Sequence, residues 1–182
     1  GRFYRGWWQN IPSEYRKFIS IDRKRTAEVD FSQMGPHLLY IANYKELGSE
    51  DAYDRVLDGE HRDTVKAAFN AMVQASSPLK TCPNDIDMSA IEMSWVELRD
   101  KILSAHKPIS DQFFKGVGNK LQFKDSCIAE RIMLNFADIN APALPVHDSF
   151  ICHHGYTTFG EMEEVMRRAF YEEMGEHISK VD

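Results

Sequence analysis

The stretch "LPVHDSFICHH", residues 144–154, carries an apolar strand pattern into His147-Asp148-Ser149 and straight out again. A carboxylate at the tip of a strand–turn–strand has either a turn to stabilise or a ligand to hold. A second one, Asp30, stands in the same kind of place, toward the end of the strand-like run "TAEVDFSQ", residues 26–33. Two carboxylates brought together by neighbouring strands can grip a pair of Mg²⁺ ions about 3.5–4 Å apart, the clamp used for in-line phosphoryl or nucleotidyl transfer. Mn²⁺ suits the same oxygen ligands. Arg62 and Lys66, at i and i+4 of a helical pattern, offer a cationic rail to a triphosphate. Taken singly, Asp148 also reads as a turn residue, and Arg62 with Lys66 as a solvated helix face.

The elements that must position these groups follow from periodicity. "TAEVDFSQ" reads as a short strand, and the Gly35-Pro36 break opens a helix bearing Leu38, Leu39, Tyr40 and Ala42. Residues 59–77 form a second helix with Val65, Phe69, Met72 and Val73 as its apolar stripe. A Pro-containing loop over 76–90 precedes a helix at about 89–105, and another helix starts at 121 with Ile128, Ile132 and Phe136 on one side. The last helix is expected to begin at a capping box, Thr158-x-x-Glu161, and to bury Met162, Val165, Met166, Ala169 and Phe170. Short strands among long helices predict an α+β domain built on a small antiparallel sheet.

Composition narrows the class. The chain has 182 residues, 43% hydrophobic and 12% aromatic, enough for a core and unlike a disordered segment. No apolar run is long enough to span a bilayer and no signal peptide is visible, so no membrane role is expected. The first residue is Gly and leads directly into dense sequence, which predicts a piece of a longer protein. Cys82, Cys127 and Cys152 are odd in number and lack CxxC spacing, which fits a reducing compartment better than a disulfide framework or zinc site. His153-His154 has no distant Cys/His pair to complete a metal site. The net charge of −6 disfavours indiscriminate nucleic-acid binding, yet the first 25 residues hold Arg2, Arg5, Arg16, Lys17, Arg23, Lys24 and Arg25 against Glu14 and Asp22. Tyr4, Trp7, Trp8 and Tyr15 are interleaved with them, a mixture that suits phosphates and stacked bases.

Five segments, in order, resemble the palm-and-fingers core of family A DNA polymerases and the related single-subunit, phage-type RNA polymerases. "GRFYRGWWQNIP" at 1–12 resembles a template–primer contact segment, and "DFSQMGPHLL" at 30–39 resembles motif A. "RDTVKAAFN" at 62–70 resembles the fingers helix, motif B. "LQFKDS" at 121–126 is similar to a segment whose Gln reaches the minor groove, and "VHDSF" at 146–150 resembles motif C. The resemblance implies one palm/fingers catalytic domain over 1–182, with shortened fingers at about 40–120 and divergent sequence at roughly 78–115. It implies Asp30 and Asp148 as ligands of two Mg²⁺ ions, with the Phe31 carbonyl completing one coordination shell. Lys66 would bind triphosphate and protonate pyrophosphate, and Arg62 would hold the γ end. Gly35, Asn70 and Gln74 would line the nucleotide's place. Arg2, Gln9, Asn10, Gln122 and His147 would contact nucleic acid. The implied partners are a DNA template and primer and nucleoside triphosphates, with an upstream domain or a processivity partner supplying further grip. The implied setting is the cytoplasm of a bacterial host or phage-infected cell.

Departures from the pattern bear on the substrate. The DNA enzymes carry a Glu five residues after the motif A Asp that excludes a 2′-hydroxyl; here Gly35 stands there, and Ser149 replaces the Glu of motif C. Both changes resemble the RNA polymerases and imply ribonucleotide use, as in a primase. Gln74 occupies the place of the motif B Tyr. A DNA polymerase with relaxed sugar selection, and a noncatalytic palm-fold module that binds nucleic acid, are the alternatives.

Overall fold

A computed structural model describes residues 3–176 together with Ile178 and Val181. Arg2 lies outside the described residues. The chain divides into two compact units, one of residues 1–34 and 122–182, the other of residues 35–121.

The first unit is organised by a four-stranded antiparallel sheet: β1 (Ser20–Ile21), β2 (Lys24–Asp30), β3 (Leu144–Val146) and β4 (Ser149–His153), in the order β1-β2-β4-β3. Sequence periodicity misses β1. It is two residues long, and its tight turn to β2 is made by Asp22 and Arg23, both at positive φ (52° and 62°), where Asn-Gly is the usual signal. β2 and β4 pair over five residues, from Thr26 opposite His153 to Asp30 opposite Ser149. Ile19, Val146 and Ile151 form a small apolar cluster, against which Trp8, Ile11 and Leu144 pack. Short α1 (Ser13–Arg16) lies in the N-terminal segment.

Helices α5 (Gly118–Asp138) and α7 (Glu161–Met174) follow the expected apolar patterns, with Ile128, Ile132, Phe136, Met162, Met166 and Phe170 all buried, although Val165, expected in the core, is half-buried; the short α6 (His154–Thr158) between them is not anticipated by the sequence pattern. Phe170 meets the Phe31 ring at 6.1 Å. Lys124 and Arg131 of α5 both bind Glu173 of α7, at 2.6 and 3.2 Å. The expected Thr158 capping box is not formed. The residue preceding α7 is Gly160 in a left-handed conformation (φ 72°), and the Thr158 hydroxyl bonds back to the His154 carbonyl at 3.0 Å. α7 starts at Glu161, so its cap position falls on Gly160, and Thr158 is the last residue of α6 instead.

The second unit holds α2 (Met34–Ile41), α3 (Arg62–Gln74) and α4 (Trp95–Ala105) around a core of Leu39, Tyr40, Val65, Phe69, Met72, Leu98, Ile102 and Phe113. The predicted helix at 89–105 begins at Trp95, because Ser94 and Glu97 form a capping box there (Glu97 Oε2 accepts from the Ser94 amide at 2.8 Å). His106 is fully buried; its Nδ1 meets the Tyr40 hydroxyl at 3.0 Å and its Nε2 the Ala52 carbonyl at 2.9 Å. Burial, reinforced by the charge of Arg55, lowers its pKa to about 4. Among the described residues no helix is long and apolar enough to cross a membrane.

Candidate active site

Each half of the predicted constellation is assembled within one unit. Asp30 is the last residue of β2, and Asp148 sits in the two-residue turn between β3 and β4. The β2–β4 pairing brings these positions together: Asp30 is opposite Ser149, and the Phe31 amide donates to the Asp148 carbonyl at 3.3 Å. The contact uses the Asp148 backbone and leaves its carboxylate outside the ladder. Phe31 is buried and forms an isolated bridge with Val181, so the backbone beneath the two acids is anchored on both sides. His147 is exposed and takes a positive φ of 57°, a conformation that favours glycine and is held here by the turn.

Beside this pair lies a network that sequence reading does not reveal. Glu28, two residues before Asp30 and so on the same side of β2, accepts from the Ser149 hydroxyl at 2.5 Å and from Arg16 at 2.6 Å. The same Ser149 proton is shared with the Val146 carbonyl, 2.9 Å from Oγ, which closes the turn carrying Asp148. Ser149 therefore ties β4 to a carboxylate from β2. Only the pairing register brings Glu28 and Ser149, 121 residues apart, into contact.

The donor set can be tested against the metal it is expected to hold. Among the described residues no group of three or more His, Cys, Asp or Glu side chains is arranged around one point. A closed cage of the zinc type is absent from them. Two carboxylates at a strand end fit Mg²⁺, which keeps several waters and is commonly held by one or two protein carboxylates plus substrate phosphates.

In the second unit, Arg62, Lys66, Asn70 and Gln74 recur every four residues along α3, and all but half-buried Arg62 are exposed. They form one polar stripe opposite the buried Val65, Phe69, Met72 and Val73. Gly35, in the first turn of α2, faces this stripe: a Cβ there would meet nothing nearer than Asn70 Oδ1 at 3.9 Å. Gln74 lies across Gly118, where a Cβ would come 2.3 Å from its side chain.

Arg62 is not idle. It pairs with Asp51 at 2.8 Å and Asp54 at 3.4 Å, and its guanidinium lies 5.1 Å from the Tyr53 ring centroid. The hydrogen bond to Asp51 raises its pKa. Burial works to raise the Asp51 carboxyl, but bonds from Arg62 and from the Tyr53 and Asp54 amides outweigh it and hold the pKa down.

Of the predicted nucleic-acid contacts, Asn10 is exposed at the end of the turn Trp7–Asn10, and Gln122 is half-buried in α5. Gln9 has its amide engaged with its own chain. Nε2 donates to the Phe3 and Pro145 carbonyls at 2.8 and 2.9 Å, and Oε1 accepts from Gly6 at 3.1 Å. What remains to it is one acceptor lone pair.

No protein-family profile matches the chain. No curated protein matches it either. Among solved structures, it is similar to the POL domain of Pol1 from M. smegmatis in complex with DNA primer-template and dNTP. The TM-score is 0.57 at 13% identity, and the match covers 96% of this chain and 43% of that one. The chain thus spans less than half of the structure it resembles. At this identity the likeness speaks for architecture: the chain has an α+β, nucleic-acid polymerase-like fold with a small antiparallel palm-type sheet.

Proposed function

We propose that this chain is the catalytic core of a template-directed nucleotidyltransferase, extending a DNA-primed strand by a two-metal reaction. The observation that carries the reading is the placement of Asp30 and Asp148 at one end of the β2–β4 pair. The polymerase-like fold supports it. Residues 1–182 would serve as palm and fingers, the fingers reduced to about 40–120, with an upstream domain or a processivity partner adding grip.

Asp30, Asp148 and the Phe31 carbonyl would hold the ions. When bound, Mg²⁺ or Mn²⁺ lowers the pKa of the attacking hydroxyl and neutralises charge on the transferring phosphate. Lys66 binds the triphosphate and hands a proton to the departing pyrophosphate; Arg62 holds the γ end. Because Arg62 is already paired with Asp51, the triphosphate must compete for part of its five-donor fork. Asn70 and Gln74, on the same stripe, meet the nucleotide. Arg2, Gln9, Asn10, Gln122 and His147 touch primer and template through phosphate, sugar or minor groove, contacts indifferent to sequence.

The open space beside Gly35 supports ribonucleotide use, since nothing there excludes a 2′-hydroxyl. The second reading, deoxyribonucleotide synthesis with loose sugar selection, is favoured by the dNTP bound in the similar polymerase domain. Gly35 has no positive φ that would forbid a side chain, so Gly35→Glu should fold and lower the rNTP-to-dNTP incorporation ratio at least tenfold. An unchanged ratio would contradict the gate. The metal site is tested without turnover by titrating Mn²⁺ into the full chain and following free Mn²⁺ by electron paramagnetic resonance. Binding should be lost in Asp148→Asn and Asp30→Asn; equal binding by wild type and both variants would sink the proposal.

A further inference from the structure

The segment from Phe3 to Gln9 is fastened to the sheet. The three Gln9 amide bonds to Gly6, Phe3 and Pro145 lock the loop from Phe3 to Gln9 onto β3, and Trp8 Nε1 adds a fourth bond to the Pro145 carbonyl at 3.0 Å. Gly6 permits this closure, because a Cβ at that position would lie 2.4 Å from the pinned Trp8 ring. Arg5, a non-glycine residue, is held at φ 81°, a backbone state that costs about 1–3 kcal/mol and persists only where surroundings impose it.

What this fastening holds in place is a row of exposed rings. Tyr4 is 64% and Trp7 61% exposed, and Phe3 lies beside them. Together with Arg5 and Leu144 they line an open, largely apolar cavity of about 440 Å³. Its size is that of a small-ligand pocket, and among the described residues the one charged side chain lining it is a cation, Arg5. Further along the chain Lys17, Arg23, Lys24 and Arg25 are all exposed, and Lys17 Nζ lies 5.2 Å from the ring centroid of exposed Phe18. In a chain of net charge −6, this concentration of cations beside rigid, solvent-facing aromatics is complementary to one class of ligand, a polyanion that carries planar rings.

We propose that the Phe3–Gln9 loop is a stacking pocket for an unpaired nucleobase of a single strand, with Trp7 and Tyr4 as platforms and Arg5 taking its phosphate. Stacking is blind to base identity, so the pocket holds any sequence. The bases of duplex DNA already stack on each other and do not enter this pocket, whatever contacts the duplex makes elsewhere on the chain. The pocket needs no metal and does not depend on Asp30 or Asp148, so it stands or falls apart from the catalytic reading.

The test is fluorescence anisotropy of a labelled single-stranded oligo(dT) with the full chain, across a salt series, against a blunt duplex and a labelled mononucleotide. Trp7→Ala should weaken oligo(dT) binding about tenfold or more, and Trp7→Phe, which keeps a ring, should restore most of it. Arg5→Ala should flatten the salt dependence. Trp7 is solvent-facing, so circular dichroism and melting should be unchanged in its variants. Unchanged oligo(dT) binding by both Trp7→Ala and Tyr4→Ala would overturn the proposal. So would equal loss of duplex binding, binding of the mononucleotide without the oligomer, or failure of Trp7→Phe to rescue in a folded protein.

Discussion

Ser149 does two jobs with one hydroxyl: it closes the turn that presents Asp148 and holds Glu28 beside Asp30. Removing it frees a carboxylate that is also the partner of Arg16, whose side chain is only 17% exposed. Ser149→Ala should therefore lower stability by about 1–2 kcal/mol, the cost of a charge-assisted bond in a partly buried place, read as a shift in urea midpoint. A larger loss of catalysis than of stability is expected, because the turn at His147-Asp148 loosens with it. Cys152, opposite Ala27 on the same strand, is fully buried, and burial with nearby Glu163 pushes its thiol up to about 12. It should resist maleimide at neutral pH until the protein unfolds; rapid labelling of Cys152 in the folded chain would contradict its placement. Neither behaviour is legible in sequence, where Glu28 is one acidic residue of a strand and Cys152 one apolar letter among several.

At the scale of elements, what could be read in advance was what periodicity controls. The apolar stripe of α3 was plain from Val65, Phe69, Met72 and Val73, and it fixes the opposite face, so the line of Arg62, Lys66, Asn70 and Gln74 follows from spacing alone. The β3–β4 hairpin and the strand ending at Asp30 were legible for the same reason. What could not be read were contacts between side chains that only folding brings together. Arg62 meets Asp51 across an irregular stretch, Gln9 turns inward to bond Pro145, and α7 is preceded by Gly160 instead of by Thr158. Two consequences belong here. Lys66→Ala should depress kcat far more than it raises KM if the ammonium acts on the leaving group, and Asp51→Asn should lower KM for the nucleotide by releasing Arg62 to the triphosphate. Gly118→Ala would drive the Gln74 amide off its seat; stability should move by less than about 1 kcal/mol, since a flexible side-chain end gives way, while sugar discrimination shifts if Gln74 reads the nucleotide.

For the whole molecule, the division into two units separates two kinds of chemistry. The unit with the sheet carries Asp30, Asp148 and the Phe3–Gln9 loop, and the unit of residues 35–121 carries Arg62, Lys66, Asn70 and Gln74. The core of the second unit also sets an acid limit. His106 has a folded pKa of about 4 against an ordinary 6.5, so the unfolded chain binds its proton first as pH falls. Its contribution is intact above about pH 6.5 and is lost progressively down to pH 4, by up to roughly 3 kcal/mol. Urea unfolding at pH 7.5 and pH 4.5 should show that drop, and a His106→Phe variant, if folded, should show a smaller one.

The measurement that bears most directly on the central claim is extension of a primed DNA template by the full chain with Mg²⁺ and either rNTPs or dNTPs, with Asp30→Ala and Asp148→Ala run alongside. The account predicts metal-dependent extension by wild type, with rNTPs accepted, and none by either variant. Extension that survives the loss of either carboxylate, or no extension by wild type with either nucleotide set, would contradict it.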